Sequence, residues 1–456
     1  MKDLTTLSAT DAATLIADGR LASVDLVKAC LDKIAQTDGP LQAWAFVDTE
    51  GALVRAAEMD RIRKAGGPLG ALHGVPVGLK DIIDTKEMPT ARGTPIFAGR
   101  QSDADAAIVE RLQEAGAVIL GKTVTTELAF MHAADTRNPH NPDRTPGGSS
   151  SGSAAAVAAG QVPLAIGTQT NGSVIRPASF CGVFGIKPTC GLASRRGLLQ
   201  TSISLDQIGC FGRTLEDTAL LCDAISGYDP ADTLSYAHPR PNLARGCASE
   251  PAMEPNLIWL NQPYHDRLSS DAEDGFEAVI ESLGARVERF PAPDNMASLI
   301  PAQSTIHLYE ICQHLGETFD ADWDQISDTL QPMITKGRAI TKDEYEHACG
   351  LKLAAEAYFD TFFHDYDAVI APSAAGEAPV FGPVTGDPIF CTIWTLAGLP
   401  CVTVPALVGE TGLPIGLQLI GASERDDRLM SVTNWVLRAL SAQANEEAKT
   451  CLIAPN

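Results

Sequence analysis

Apolar positions along this chain recur at two spacings. At helical spacing, Leu26, Val27, Cys30, Leu31 and Ile34 fall on one face behind Ser23, and a shorter helix behind Thr10 turns Leu15 and Ile16 inward. The same pattern predicts helices over 52–64, 106–115, 215–225, 272–283, 297–317 and 341–364, with a last one starting near Asp426. Between them, short apolar runs read as buried strands at 75–79, 117–120, 162–167, 256–261, 286–290, 367–371, 401–405 and 414–420. Strands alternating with helices predict an α/β chain: a single α/β/α domain around a large mixed, mostly parallel sheet, with N-terminal helices at one edge.

No internal repeat or linker divides the 456 residues. The expected layout is a helical cover over 1–68 and a catalytic core from 70–225 and 370–421. A Pro-, Asp- and Ala-rich surface excursion takes up 228–255.

Composition adds exclusions. At 45% hydrophobic and 20% charged residues the chain can bury a large core. With 34 Lys plus Arg against 57 Asp plus Glu, the net charge of −23 opposes nucleic acid and anionic lipid as partners. Eleven cysteines, none in a C-x-x-C pair, point to buried thiols. The first residues lack a charged-then-apolar leader and no apolar run reaches the ~18 residues of a membrane span, so the cytoplasm is the expected compartment.

Candidate chemistry concentrates in 145–189, where Gly147-Gly148-Ser149 and Asn171-Gly172-Ser173 form two tight turns. Glycines let backbone N–H groups converge on an anion or a developing oxyanion. Upstream, the apolar run 75–79 delivers Lys80, a costly residue to bury unless it is neutral or paired with Asp81 or Asp84. Gly116-x4-Gly121-Lys122-Thr123 matches a phosphate-loop pattern, and nucleotide binding there is the least favoured reading because Ala117-Val118-Ile119-Leu120 is a strand, not a flexible turn. Gly148-Ser149-Ser150-Ser151-Gly152 fits a nucleophile elbow centred on Ser150, but a proline-broken loop precedes it where that motif needs a strand. His132, Asp135, His140 and Asp143 show no metal-ligand spacing, so no metal or other cofactor is expected.

Three ordered motifs resemble the amidase signature family of serine amidases. They are Gly74-Val-Pro-Val-Gly-Leu-Lys80-Asp81, Pro146-Gly-Gly-Ser149-Ser-Ser-Gly152-Ser153, and Gly167-Thr-Gln-Thr-Asn-Gly-Ser173 followed by Arg176-Pro177. Similar runs continue through 181–189, 206–213 and 398–421, so the resemblance covers nearly everything past residue 70.

The resemblance implies a catalytic set of Lys80, a cis-bonded Ser149 and the nucleophile Ser173, acting through an acyl-enzyme. It implies an oxyanion hole from the N–H groups of Thr170, Asn171, Gly172 and Ser173. Gln169, Asn171 and the order Ser173-Val-Ile-Arg176-Pro depart from the commonest family pattern and resemble a malonamidase-like branch, in which the arginine grips a substrate carboxylate. On that basis Arg176, Gln169 and Ser150 are the expected substrate-binding residues, with a structural ion pair to Asp206 the alternative for Arg176. The implied activity is hydrolysis of a small carboxamide, with a preference for amides that carry a carboxylate. The alternative is an amidotransferase A-type subunit that releases ammonia for a partner. A small-molecule amide is the expected partner, and a homodimer the one assembly considered.

Overall fold

Leu164 and Ile166 pack into one apolar cluster while Ala165, between them, packs into another. The same two-residue alternation divides Leu257 and Trp259 from Ile258 and Leu260, and Ala368 and Ile370 from Val369 and Ala371. Strands whose successive side chains are all apolar must be covered on both faces, and here they are.

The computed structural model describes residues 3–446. The eleven strands among these residues are β1 (Trp44–Val47), β2 (Pro76–Lys80), β3 (Val118–Thr123), β4 (Leu164–Gln169), β5 (Phe184–Lys187), β6 (Gln207–Gly212), β7 (Leu257–Asn261), β8 (Val287–Pro291), β9 (Ala368–Pro372), β10 (Cys401–Val408) and β11 (Pro414–Ile420). They form one sheet in the order β1-β3-β2-β4-β6-β5-β10-β11-β9-β7-β8. The protein is a single α/β domain around this mixed sheet. Parallel ladders are grouped at β3-β2-β4 and at β9-β7-β8. An antiparallel block from β4 through β6, β5, β10 and β11 to β9 joins them, so parallel pairing is less extensive than the alternation of strands and helices predicts. The short β10–β11 connection contributes to this, since it leaves no room for a crossover helix.

One face is covered by helices Ala107–Glu114, Leu215–Ile225, Ser270–Leu283 and the apolar stripe Leu429, Val432 and Val436 of the last helix. On the other face, Ser23–Leu41, Thr49–Lys64 and Ser151–Ala158 cover one half. Leu299–Ala321, Lys342–Phe362 and Ile389–Leu396 cover the other. The N-terminal segment is not wholly helical: Trp44–Val47 pairs antiparallel with β3 and makes that edge of the sheet. The excursion at 228–255 holds one short helix, Leu243–Cys247, packed on the last helix. Among the described residues no helix is long and apolar enough to cross a membrane.

Candidate active site

β2 lies between β3 and β4, parallel to both, and every residue of it is buried. Its register sets Leu79 against Ile166, so Lys80 and Thr168 emerge together at the carboxyl ends of neighbouring parallel strands, where open α/β sheets bind ligands. Gly78 sits in a tight place, since a Cβ there would lie 3.1 Å from both Thr123 and the Trp44 ring.

Lys80 is fully buried. Its Nζ donates to Ser149 Oγ at 2.7 Å and to Thr168 Oγ1 at 2.8 Å. The carboxylates considered as partners are engaged elsewhere: Asp84 pairs with Arg100 at 2.6 Å, and Asp81 accepts from the backbone N–H of Ala91. Burial without a contacting carboxylate pulls the Lys80 ammonium down to about 7, the more distant charge of Asp206 opposing the shift.

Ser149 is carried on a turn with a cis peptide bond between Gly148 and Ser149. Gly147 adopts φ +81° against Pro177, a conformation that excludes side chains. Helix Ser151–Ala158 starts directly afterwards, pressed so closely on Ala43 and Val124 that a Cβ on Gly152 would lie 2.2 Å from the Ala43 carbonyl oxygen. Ser150 is not a poised nucleophile. Its hydroxyl donates to the Thr168 carbonyl at 3.1 Å and accepts from the Thr168 N–H at 3.2 Å, stitching the turn to β4.

The second turn follows β4. Gln169, expected at the substrate, is buried and engaged at both ends of its amide. Oε1 accepts from the N–H groups of Val174 and Ile175 at 2.8 and 3.0 Å, capping helix Ile175–Cys181, and Nε2 donates to Thr395 Oγ1 at 2.9 Å. Asn171 is gripped from outside: Nδ2 donates to Gln303 Oε1 at 3.1 Å, and Oδ1 accepts from Thr392 Oγ1 at 2.7 Å. Gln303 Nε2 in turn donates to the Thr170 carbonyl at 3.0 Å. Thr170 donates its hydroxyl to Asp206, whose carboxylate also accepts from the N–H groups of Thr201 and Ser202. Among the described residues, the N–H groups of Asn171, Gly172 and Ser173 donate no hydrogen bond. The half-buried Ser173 hydroxyl likewise has no partner, so Lys80 and Ser149 are joined directly while Ser173 stands next to them in the motif without a hydrogen bond to either.

Arg176 makes contacts that neither reading of it names. Its guanidinium donates to the carbonyls of Thr385 and Gly148, each at 2.6 Å, and to that of Gly386. The residue is 3% exposed, burial lowers its value to about 10, and the ion pair with Asp206 is not made. Three carbonyls engage both terminal nitrogens, while the buried Nε has no hydrogen-bond partner among the described residues. The short Val174-Ile175 spacer aims the side chain under the Gly148 turn, not into open space.

The remaining sequence candidates disperse. Residues 118–123 of the phosphate-loop match are strand β3, and the helix of that unit precedes the glycines. Lys122 is buried, donating to Thr90 Oγ1 at 2.8 Å and to the Ile83 carbonyl. His132 bonds Thr329 and His140 the Cys181 carbonyl. Thr168, Gln303, Thr392 and Thr395 complete the site with little sequence signal. The nearest to one is the run Gly167-Thr-Gln-Thr-Asn, where an apolar strand turns abruptly polar.

A buried amine, two serine-bearing turns and unpaired backbone N–H groups thus gather at the ends of β2 and β4. The chain belongs to the amidase family, whose model, Amidase, matches residues 25–430. It is an enzyme that acts on amide C–N bonds. It is 34% identical over 471 residues to the A component of glutamyl-tRNA(Gln) amidotransferase from Thermobifida fusca (strain YX), covering 94% of each chain. Its fold is similar to native peptide amidase from Stenotrophomonas maltophilia, with a TM-score of 0.83, 29% identity, and 99% and 98% of the two chains covered. It is also similar to a structure reported as a vestigial protein complex that reveals the evolutionary origins of an s-triazine catabolic enzyme. That match has a TM-score of 0.89, 30% identity, and covers 95% and 98% of the two chains.

Arg176→Ala should lower Tm and reduce kcat/KM by the same factor on acidic and neutral amides. Removing the guanidinium leaves three carbonyls without donors, at about 1–3 kcal/mol per unsatisfied group. Thermal melts beside a matched pair of substrates check this, and a loss confined to acidic amides would restore the carboxylate clamp.

Proposed function

We propose that the protein hydrolyses a carboxamide through an acyl-enzyme on Ser173, with Lys80 as base and Ser149 as the proton relay. The observation that carries this reading is the 2.7 Å contact from a fully buried Lys80 Nζ to Ser149 Oγ. A serine hydroxyl is a weak nucleophile until a base takes its proton, and an amine held near neutrality inside the protein is such a base.

In the proposed cycle Ser149 passes a proton to Lys80 and takes one from Ser173, whose Oγ bonds to the substrate carbonyl carbon. The oxyanion that forms meets the N–H groups around Asn171, Gly172 and Ser173, with that of Thr170 completing the set. A well-placed donor of this kind lowers the barrier by roughly 3–4 kcal/mol. As the C–N bond breaks, the leaving nitrogen takes its proton from Ser149, which is resupplied by Lys80. Water then repeats the relay on the acyl-enzyme, releasing the acid and restoring Ser173. Ser150 and Gln169 shape the two turns in this scheme.

The destination of the nitrogen has a second reading. Relatives named as the A component of glutamyl-tRNA(Gln) amidotransferase cover nearly the full chain, and they favour a subunit that hands ammonia to a partner over a stand-alone hydrolase. Both readings use the same residues.

Ser173→Ala should abolish turnover and fluorophosphonate labelling with Tm unchanged within about 2 °C, since losing a hydroxyl that bonds nothing costs little stability. Turnover retained in Ser173→Ala and lost in Ser150→Ala would reverse the assignment.

Activity should rise with pH through an apparent pKa near 7, because the base must shed its proton to act. Lys80→Met should be nearly inactive, and its residual rate should lack that limb. The folded-state value lies below the ~10.4 of a free lysine, so burying Lys80 costs stability fully below pH 7 and progressively less up to pH ~10.4. Lys80→Met should therefore raise Tm more at pH 6 than at pH 10. An acid limb that survives the substitution would move the base elsewhere.

Gel filtration of the isolated chain with an ammonia-release assay separates the two destinations. A stand-alone hydrolase turns over free amides alone, whereas one component of a larger amidotransferase gains activity only when its partner joins it.

A further inference from the structure

Beside the Asn171 turn lies a cavity of about 250 Å³. That is below the about 300–1,000 Å³ of sites for drug-sized ligands, and suits a phenyl ring or a short branched chain. Phe130, Met131, Ile300, Leu308, Met333 and Ile389 supply apolar surface to its wall.

Among the described residues, most of its polar groups are already engaged, the Ser304 hydroxyl excepted. The Gln303 amide bonds Thr170 and Asn171 with its two ends. His307 shares Nε2 with Thr201 at 3.2 Å and lies edge-on to the Phe130 ring, with centroids 4.7 Å apart. Burial pulls the imidazole down to about 4, so it is neutral at working pH. Arg267 and Asp387, both on the lining, pair with each other at 2.6 Å where both are about half exposed. Asp387 also accepts from the Ile389 N–H at 3.0 Å. Arg176 is committed to backbone carbonyls. A carboxylate or ammonium carried into this cavity would lose water and meet as charges only Arg267 and Asp387, already paired with each other, whereas an apolar group would gain by leaving water.

We propose that this cavity receives the acyl side of the substrate, and that the substrate is an uncharged carboxamide with an aromatic or branched aliphatic acyl group. The assignment rests on Ser173 as the nucleophile, two residues beyond the cavity-lining Asn171. It replaces the carboxylate-bearing amide implied by the family resemblance with a neutral one, because the wall supplies apolar surface and no unpaired charge.

The test is ammonia release by the full chain on phenylacetamide, isovaleramide, succinamate and glutamine. The two neutral amides should exceed the two charged ones at least about tenfold in kcat/KM, the scale on which pockets discriminate by apolar fit. Ile300→Trp, which fills the cavity from a partly exposed helix position, should cost phenylacetamide at least about tenfold more than acetamide. If fluorophosphonate labels Ser173 but succinamate or glutamine is turned over best, the cavity assignment falls and the nucleophile stands. If Ser173→Ala remains active, the nucleophile assignment falls, and calorimetry judges the cavity on its own. Tighter binding of phenylacetamide than of succinamate, lost in Ile300→Trp, upholds it. Equal or reversed affinities overturn it.

Discussion

An amine enclosed by a β-sheet must either meet a counter-charge or hold its proton less tightly, and the surroundings of Lys80 produce the second outcome. Every residue of β2 is buried, so water cannot stabilise the ammonium, and the nearby carboxylates are tied to Arg100 and to the backbone at Ala91. What remains are two hydroxyls, on Ser149 and Thr168. A hydroxyl can accept from an ammonium or donate to a free amine, so the contact survives either protonation state. The β2–β4 register brings Thr168 to that point, and the Gly147–Gly148 turn brings Ser149. Other features of the site preserve this geometry.

The two turns are held from both ends of the sequence. Arg176 ties the Gly148 carbonyl to Thr385 and Gly386, while Gln303, Thr392 and Thr395 secure the Asn171 turn. These contacts join residues near 150–175 to helices beginning at 299 and 389. The N–H groups of Asn171, Gly172 and Ser173 themselves remain unoccupied among the described residues. Preorganisation of this kind is what an oxyanion site needs, since donors that must rearrange contribute less at the moment of reaction.

Much of the fold was legible from apolar spacing. Helix Leu215–Ile225 and strand Pro414–Ile420 have the boundaries their patterns imply, and most other long elements agree within a few residues. Several missed elements lack a readable period. Trp44–Val47 and Phe184–Lys187 are four residues long, too short for alternation to show. Gln207–Gly212 holds two glycines and a polar end, and Ile389–Leu396 is apolar nearly all round, so neither displays an amphipathic period. At the site, the turns and Lys80 were legible because glycine, serine and a strand-end lysine are unusual in those places. The orientation of Arg176 and Gln169 was not, because it depends on Thr385, Gly386 and Thr395, more than 200 residues away.

The antiparallel centre of the sheet has a bearing on how the molecule comes into being. β5 pairs with β10 across more than 200 residues of chain, Lys187 against Cys401, and the last helix packs on β10 and β11. During synthesis, Lys80, Ser149 and Ser173 leave the ribosome long before β10, β11 and the helix that buttresses Asn171 exist. Until then β5 presents an open edge and the Asn171 turn lacks Gln303, Thr392 and Thr395. Order at this site is therefore a property of the finished chain: a nascent or C-terminally shortened polypeptide carries all three side chains yet lacks the residues that hold the Asn171 turn.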